Sequence, residues 1–215
     1  MSAASRARTV LAACIGLVAA TVNLPAQQSD LIAYGGVVAP LGKLIQQGRA
    51  SIGHVSKVAF GGRLDVWLTP SAGLEVAADY SPSGYRHVDT TGAALDTTGA
   101  LLHATGRMLY RFAQGGVWSA HILAGAGIVS HSGVYLTGTT GKTSLCGVVG
   151  VAGQLRIVTG WTVQLTAEDY VYSARLGGFA DVPGASGTLN NDLVLSFGVA
   201  VPLGARGDDD LRVIR

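Results

Sequence analysis

At 215 residues the chain has the length of one domain, yet only 13% of it is charged, against roughly 25% in soluble domains, and beyond residue 26 no apolar run approaches the roughly 20 residues of a membrane-crossing helix. Those numbers exclude a helical membrane protein. They leave alternating strands as the arrangement for a chain with 48% hydrophobic residues and 31 glycines. The formal charge of +2 owes itself to Arg6 and Arg8 near the start, without which 13 basic side chains balance 13 acidic ones, so no basic surface points to nucleic acid.

Residues 1–26 read as a secretory signal peptide. Arg6 and Arg8 make a short basic start, residues 9–22 are apolar, and Leu24-Pro25-Ala26 ends in a small residue ahead of Gln27. Leu11-Ala12-Ala13-Cys14 has the look of a lipoprotein box but lies too close to Arg8, inside an apolar stretch that continues to Val22. Cleavage after Ala26 leaves Cys146 alone, with no disulfide to form and the place of a small buried filler.

The mature segment alternates with period two, the signature of a strand with two unlike faces. Residues 31–41 form the first candidate, broken by Gly35-Gly36 and Pro40, so that its facing stays open. Leu64, Val66 and Leu68 then alternate with Arg63, Asp65 and Trp67, and Leu74, Val76, Ala78 and Tyr80 with Glu75, Ala77 and Asp79. In residues 102–112, Ala104, Met108, Tyr110 and Phe112 oppose His103, Thr105, Arg107 and Arg111. Softer patterns cover residues 117–129 and 144–157. Trp161, Val163, Leu165 and Ala167 alternate with Thr162, Gln164, Thr166 and Glu168. The last strand is the clearest, with Leu193, Leu195, Phe197, Val199, Val201 and Leu203 on one face and Val194, Ser196, Gly198, Ala200 and Pro202 on the other. Large apolar residues on one face suit lipid, and small or polar ones suit a crowded barrel interior.

The connections alternate too. Residues 70–71, 113–116 and 158–160 are tight turns, whereas 42–55, 81–100, 130–143 and 174–190 are long and rich in Gly, Thr, Ser and Asp. Long loops on one side of a membrane and short turns on the other give that rhythm. The expectation is an all-β, closed, eight-stranded antiparallel up-and-down transmembrane barrel over residues 27–204, following the signal peptide and followed by a short polar periplasmic tail at 205–215, with four mobile outward loops.

The segment Ser196-x-Gly198-x-x-Val201-x-Leu203 is similar to the polar-x-Gly-x-x-apolar-x-apolar signal read by the barrel-assembly machinery. With it, residues 28–204 resemble the small eight-stranded outer-membrane barrels of the OmpA, OmpX and opacity-protein kind. Members of that family often end on an aromatic residue, where this strand ends on Leu203 and a tail follows. The resemblance implies an integral protein of the bacterial outer membrane among lipids and lipopolysaccharide, met by the assembly machinery during biogenesis. It implies a surface partner, if one exists, engaged through the long loops, while the residues themselves suggest no cofactor and no catalysis.

Arg63, Asp65, Glu75, Asp79, Arg107, Arg111, Arg156 and Glu168 all fall on the inferred interior face. Buried charges need partners, since an unpaired one costs about 3–5 kcal/mol. The bland reading is an interior salt-bridge plug, and the sharper one a narrow diffusion channel. A lipid A modifying enzyme would need a nucleophile and base, and His131-Ser132, with Glu168 or Asp169 to orient the histidine, is the nearest match; but adjacent strand residues point to opposite faces. His54, His87, His103 and His121 are scattered without metal-ligand spacing. Trp67, Trp118, Trp161, Tyr80, Tyr110, Phe112, Tyr170 and Tyr172 lie near strand ends, as interfacial aromatic girdles do, with carbohydrate stacking as the alternative.

Overall fold

The computed structural model describes residues 28–47, 49–133, 136, 142–158, 160–174 and 188–203. The signal peptide expected at 1–26 and the tail expected at 205–215 lie outside them. The described strands, all antiparallel, are β1 (Gln28–Pro40), β2 (Ile45–Gln47), β3 (Ala50–Val55), β4 (Lys57–Trp67), β5 (Ala72–Ser81), β6 (Gly84–Val88), β7 (Ala94–Gly115), β8 (Trp118–Gly133), β9 (Thr143–Val158), β10 (Trp161–Ala174) and β11 (Thr188–Pro202). No described helix crosses a membrane's width.

Eight of the strands are long, and each pairs on both sides. Hydrogen bonding runs β1–β4–β5–β7–β8–β9–β10–β11 and returns from β11 to β1, where Leu31 faces Val201 and Val37 faces Leu195. The three tight links sit at one end. Thr69 closes the first by accepting from the backbone of Ala72 (2.9 Å). Gly116 and Gly160 turn the other two at φ of +41° and +89°, a conformation that a residue without Cβ adopts freely. The expected turn at 113–116 is shorter than anticipated, because β7 keeps its pairing with β8 up to Gly115 and leaves Gly116-Val117 to reverse the chain.

The faces are inverted relative to a water-soluble core. Leu31, Leu74, Val76, Met108, Tyr110, Ile122, Val151, Leu165, Leu195 and Phe197 are exposed, whereas Arg63, Asp65, Glu75, Asp79, Arg107 and Glu168 are at most 3% exposed. β1 proves to alternate like the rest. Asp30, Ile32, Tyr34 and Val38 point inward and Leu31 and Val37 outward, with Gly36 pressed so closely on Leu195 and Ser196 that a Cβ has no room.

Two of the four long connections are not the mobile loops the sequence suggests. Residues 42–55 carry β2 and β3, residues 81–100 carry β6 and the start of β7, and these strands pair in the order β2–β3–β6–β7 as an extension above the ring. The ring of Tyr85 lies over Gly99 and Gly133 and locks this layer onto the β7–β8 pair, an aromatic covering of bare strand backbone. Half of 130–143 and most of 174–190 lie outside the described residues.

Candidate functional site

Alternation delivers one side chain in two to the interior, so the charged positions of different strands meet at the ring's mid-height. Arg107 of β7 reaches Glu75 of β5 (2.7 Å) and Glu168 of β10 (2.8 Å), while Arg63 of β4 reaches the same Glu168 at 2.8 Å. Arg63 also donates to Thr166 (2.7 Å) and Ser196 (3.0 Å), and Arg107 to Thr105 (2.8 Å) and the Tyr170 hydroxyl. Tyr34 lies under the Arg63 guanidinium, 4.1 Å from ring centre to Cζ, and donates to Asp79 at 3.3 Å. Tyr170 donates to Glu168 (3.0 Å) and stacks on His103, whose Nδ1 is 2.7 Å from Asp79. Arg107 is shared between two carboxylates and Arg63 pairs with one, with hydroxyls meeting further donors, as buried ions require; Arg63 Nε and Glu75 Oε2 stay enclosed without a partner.

Towards the long-connection end the polar column continues. Tyr172 donates to Asp192 (2.9 Å) and lies 3.4 Å from His131, whose ring stacks on His54 at 4.9 Å. His54 belongs to β3, outside the ring, and its Nδ1 meets the Ser83 hydroxyl at 3.2 Å while its Nε2 is enclosed without a partner. Burial, reinforced by the neighbouring His131, pushes the His54 pKa down to about 3.

Of the eight interior charges expected from sequence, Arg63, Glu75, Asp79, Arg107 and Glu168 join this network directly. Asp65 is fully buried cross-strand from Glu75 but shares no ion pair. Arg111 and Arg156 are not part of the plug. Both are partly exposed at the short-turn mouth, because their places on β7 and β9 lie near the strand ends, below the layer that Glu75 and Glu168 occupy. Tyr34, His103, Tyr170, Tyr172 and Asp192 are network members the sequence reading left out. Their signal was the alternation itself: each stands at an even spacing from a named interior residue on its own strand, apart from Tyr34, whose strand is broken by glycines. Trp67, Tyr170 and Tyr172 are likewise interior, at most 3% exposed, and are no part of a girdle, whereas Trp118, Trp161, Tyr80, Tyr110 and Phe112 are about half exposed on the outer face.

His131 and Ser132 point to opposite faces. His131 is 1% exposed inside, and the Ser132 side chain is exposed outside, 3.5 Å from the Ala100 carbonyl. Glu168 is occupied by the two arginines and Tyr170. No nucleophile is set against a base there. Among the described residues no group of three or more His, Cys, Asp or Glu side chains is placed to hold a metal ion, and Cys146 is a buried free thiol. Of the assembly-signal positions, Ser196 and Gly198 face inward and Val201 outward on β11, and Leu203, just beyond the strand, is exposed.

This is the fold of the small outer-membrane β-barrels. The outer-membrane protein OprG of Pseudomonas aeruginosa superposes with a TM-score of 0.57 at 12% identity, covering 83% of this chain and 98% of that one. The outer-membrane protein AlkL, solved in DMPC lipid bilayers, superposes with a TM-score of 0.53 at 12% identity, covering 86% and 97%. No family model matches the sequence, and no curated protein matches it either.

Proposed function

We propose that this chain is an integral protein of the bacterial outer membrane: a closed eight-stranded transmembrane barrel over residues 27–204, exported by a cleaved signal peptide at 1–26, with residues 205–215 in the periplasm. Its role is structural or interactive at the cell surface, without catalysis. The observation that carries this reading is the inverted polarity, with large apolar side chains outside on every long strand and ion pairs inside. Exposed to water, that outer face would be a continuous apolar patch far beyond what a soluble monomer tolerates; in lipid it is the anchoring surface, and the ring of backbone pairings leaves no edge to satisfy.

The short-turn end then faces the periplasm and the β2–β3–β6–β7 layer faces outward among lipopolysaccharide. That layer is the surface for a partner, since its strands hold a fixed shape and display the exposed Arg86–Asp96 pair (2.8 Å). The Ser196-x-Gly198-x-x-Val201-x-Leu203 segment serves recognition by the assembly machinery. A sealed interior is supported by the Arg63–Glu168–Arg107–Glu75 chain, which spans from β4 through β10 and β7 to β5, in a barrel size whose lumen side chains fill.

Planar-bilayer recording tests the sealed reading: folded protein gives flat current traces, and discrete conductance steps would replace it with a narrow channel. The non-catalytic reading is tested by the lipid A mass spectrum of producing cells, expected to match that of cells without the protein; a new lipid A species abolished by Ser132→Ala would make the protein an enzyme.

A further inference from the structure

The apolar outer face is interrupted at one place on β10 and β11. Asp169 stands between the inward Glu168 and Tyr170, and Asn191 between the inward Asn190 and Asp192, so both point outward. Both are partly exposed, and Asn191 Nδ2 donates to Asp169 Oδ2 at 3.0 Å. A carboxylate oxygen has room for a further donor beyond that one. The pair is not at the rim of the apolar face. Leu189, next on the same row of β11, and Leu145, beyond the Val149 that faces Asp169 on β9, lie further towards the long-connection end and are 73% and 81% exposed. A carboxylate set inside an apolar belt is costly against hydrocarbon alone and marks a place where a polar group is met.

An open groove of about 620 Å³ runs below the pair, lined by Gly35, Gly153, Leu165, Ala167, Leu195 and Phe197. The strand register fixes its place. Asp169 faces Leu193, Ala167 faces Leu195 and Leu165 faces Phe197, so the groove continues the two rows that carry Asp169 and Asn191. Its floor is bare backbone, and a Cβ at Gly153 meets nothing within 4 Å. Neither row carries a lysine or arginine. A hydrocarbon-shaped groove headed by an acceptor, with no cation beside it, suits a lipid chain that bears a hydrogen-bond donor, and not a phosphate.

We propose that this face binds one outer-leaflet lipid through an amide-linked hydroxyacyl chain, with the hydrocarbon in the groove and the amide N–H or the hydroxyl donating to Asp169 Oδ2. A second copy of the chain is disfavoured there, because a two-fold contact at this spot brings two Asp169 carboxylates together in a medium of low dielectric, where like charges repel strongly. The site rests on the outer-membrane reading, and failure of that reading shows separately, as a protein absent from the membrane fraction.

The test places the protein isolated from membranes, folded by its gel mobility without boiling, in nanodiscs of dimyristoylphosphatidylcholine, a lipid without hydrogen-bond donors, and adds lipid A as the probe. The Asn191 side-chain amide signals are expected to shift with added lipid A and to saturate at one lipid per barrel. Asp169→Leu, which removes the acceptor, and Gly153→Leu, which fills the groove, are each expected to weaken the titration by about tenfold, the scale of one hydrogen bond to a charged group. Asp169→Asn, which keeps an acceptor, is expected to fall between. Asn191 signals unmoved by lipid A would overturn the proposal. So would equal affinity for the wild type and folded Asp169→Leu, since the lipid would then be held by its phosphates at another place. Paired barrels that Asp169→Leu separates would assign the face to a second copy instead.

Discussion

Arg107→Met is the perturbation that asks most of the interior. The side chain is fully buried and gives Nη1 to both Glu75 (2.7 Å) and Glu168 (2.8 Å). Methionine fills much of the volume but leaves two carboxylates, of which Glu168 retains Arg63 (2.8 Å) while Glu75 loses its ion-pair partner. Breaking a buried pair from one side costs about 3–5 kcal/mol. With a urea slope of about 2 kcal/mol per molar, the unfolding midpoint in lipid vesicles, followed by tryptophan fluorescence, falls by about 2 M. Adding Glu75→Gln to Arg107→Met recovers part of the loss, because the stranded charge is gone, so the two substitutions cost less together than their separate effects sum to. An Arg107→Met midpoint within about 0.2 M of wild type, under ~0.5 kcal/mol on the same slope, would refute the idea that these pairs hold the interior. So would strict additivity in the double variant. Arg86→Ala, which breaks the exposed Arg86–Asp96 pair, leaves the midpoint where it is.

The remaining expectations draw on other parts of the molecule. Removing the centre of the plug with Arg107→Ala and Glu168→Ala together converts flat bilayer currents into discrete steps, provided the protein still folds by gel mobility; silence from the folded variant would place the barrier elsewhere. Gly127→Val drives a side chain into the Ala104 carbonyl and Thr105 and costs about 1–3 kcal/mol by overpacking, read as a lower urea midpoint. His54, neutral when folded and with its pKa near 3 against an ordinary 6.5, contributes stability that is fully present above pH 6.5 and is lost as the pH falls towards 3. Hydrogen exchange of the β3 and β6 amides therefore speeds up on acidification from pH 6.5 more than intrinsic rates predict, and His54→Phe removes the excess; identical profiles would sink this.

Much of the ring was legible because period two is a local pattern with a global meaning. In β11 and the residue after it, the six alternate positions from Leu193 to Leu203 are large and apolar without exception, and in β5 Glu75 and Asp79 alternate with Leu74, Val76, Ala78 and Tyr80, so facing follows from spacing. What escaped was either too short or too local. β3 and β6, Ala50–Val55 and Gly84–Val88, carry only two or three apolar residues apiece together with a glycine, and strands of five or six residues in glycine-rich sequence look like loops; their pairing depends on Tyr85 meeting glycines that are distant in sequence. Tyr34 was hidden by Gly35-Gly36, although Gly36 is what lets β1 press against β11. Which charges reach the plug was hidden for another reason. Alternation gives a face and not a height, and it is height along the ring that separates Arg107 in the centre from Arg111 at the mouth, two repeats of the pattern further on.

The most direct test is heat modifiability of the protein in outer-membrane fractions, compared on SDS gels with and without boiling. A closed barrel with a paired interior keeps its shape in SDS until heated, so the account predicts a membrane-fraction band that migrates differently after boiling. A soluble periplasmic protein with one mobility under both conditions would contradict it, and would mean that the exposed apolar strands are covered by something other than lipid.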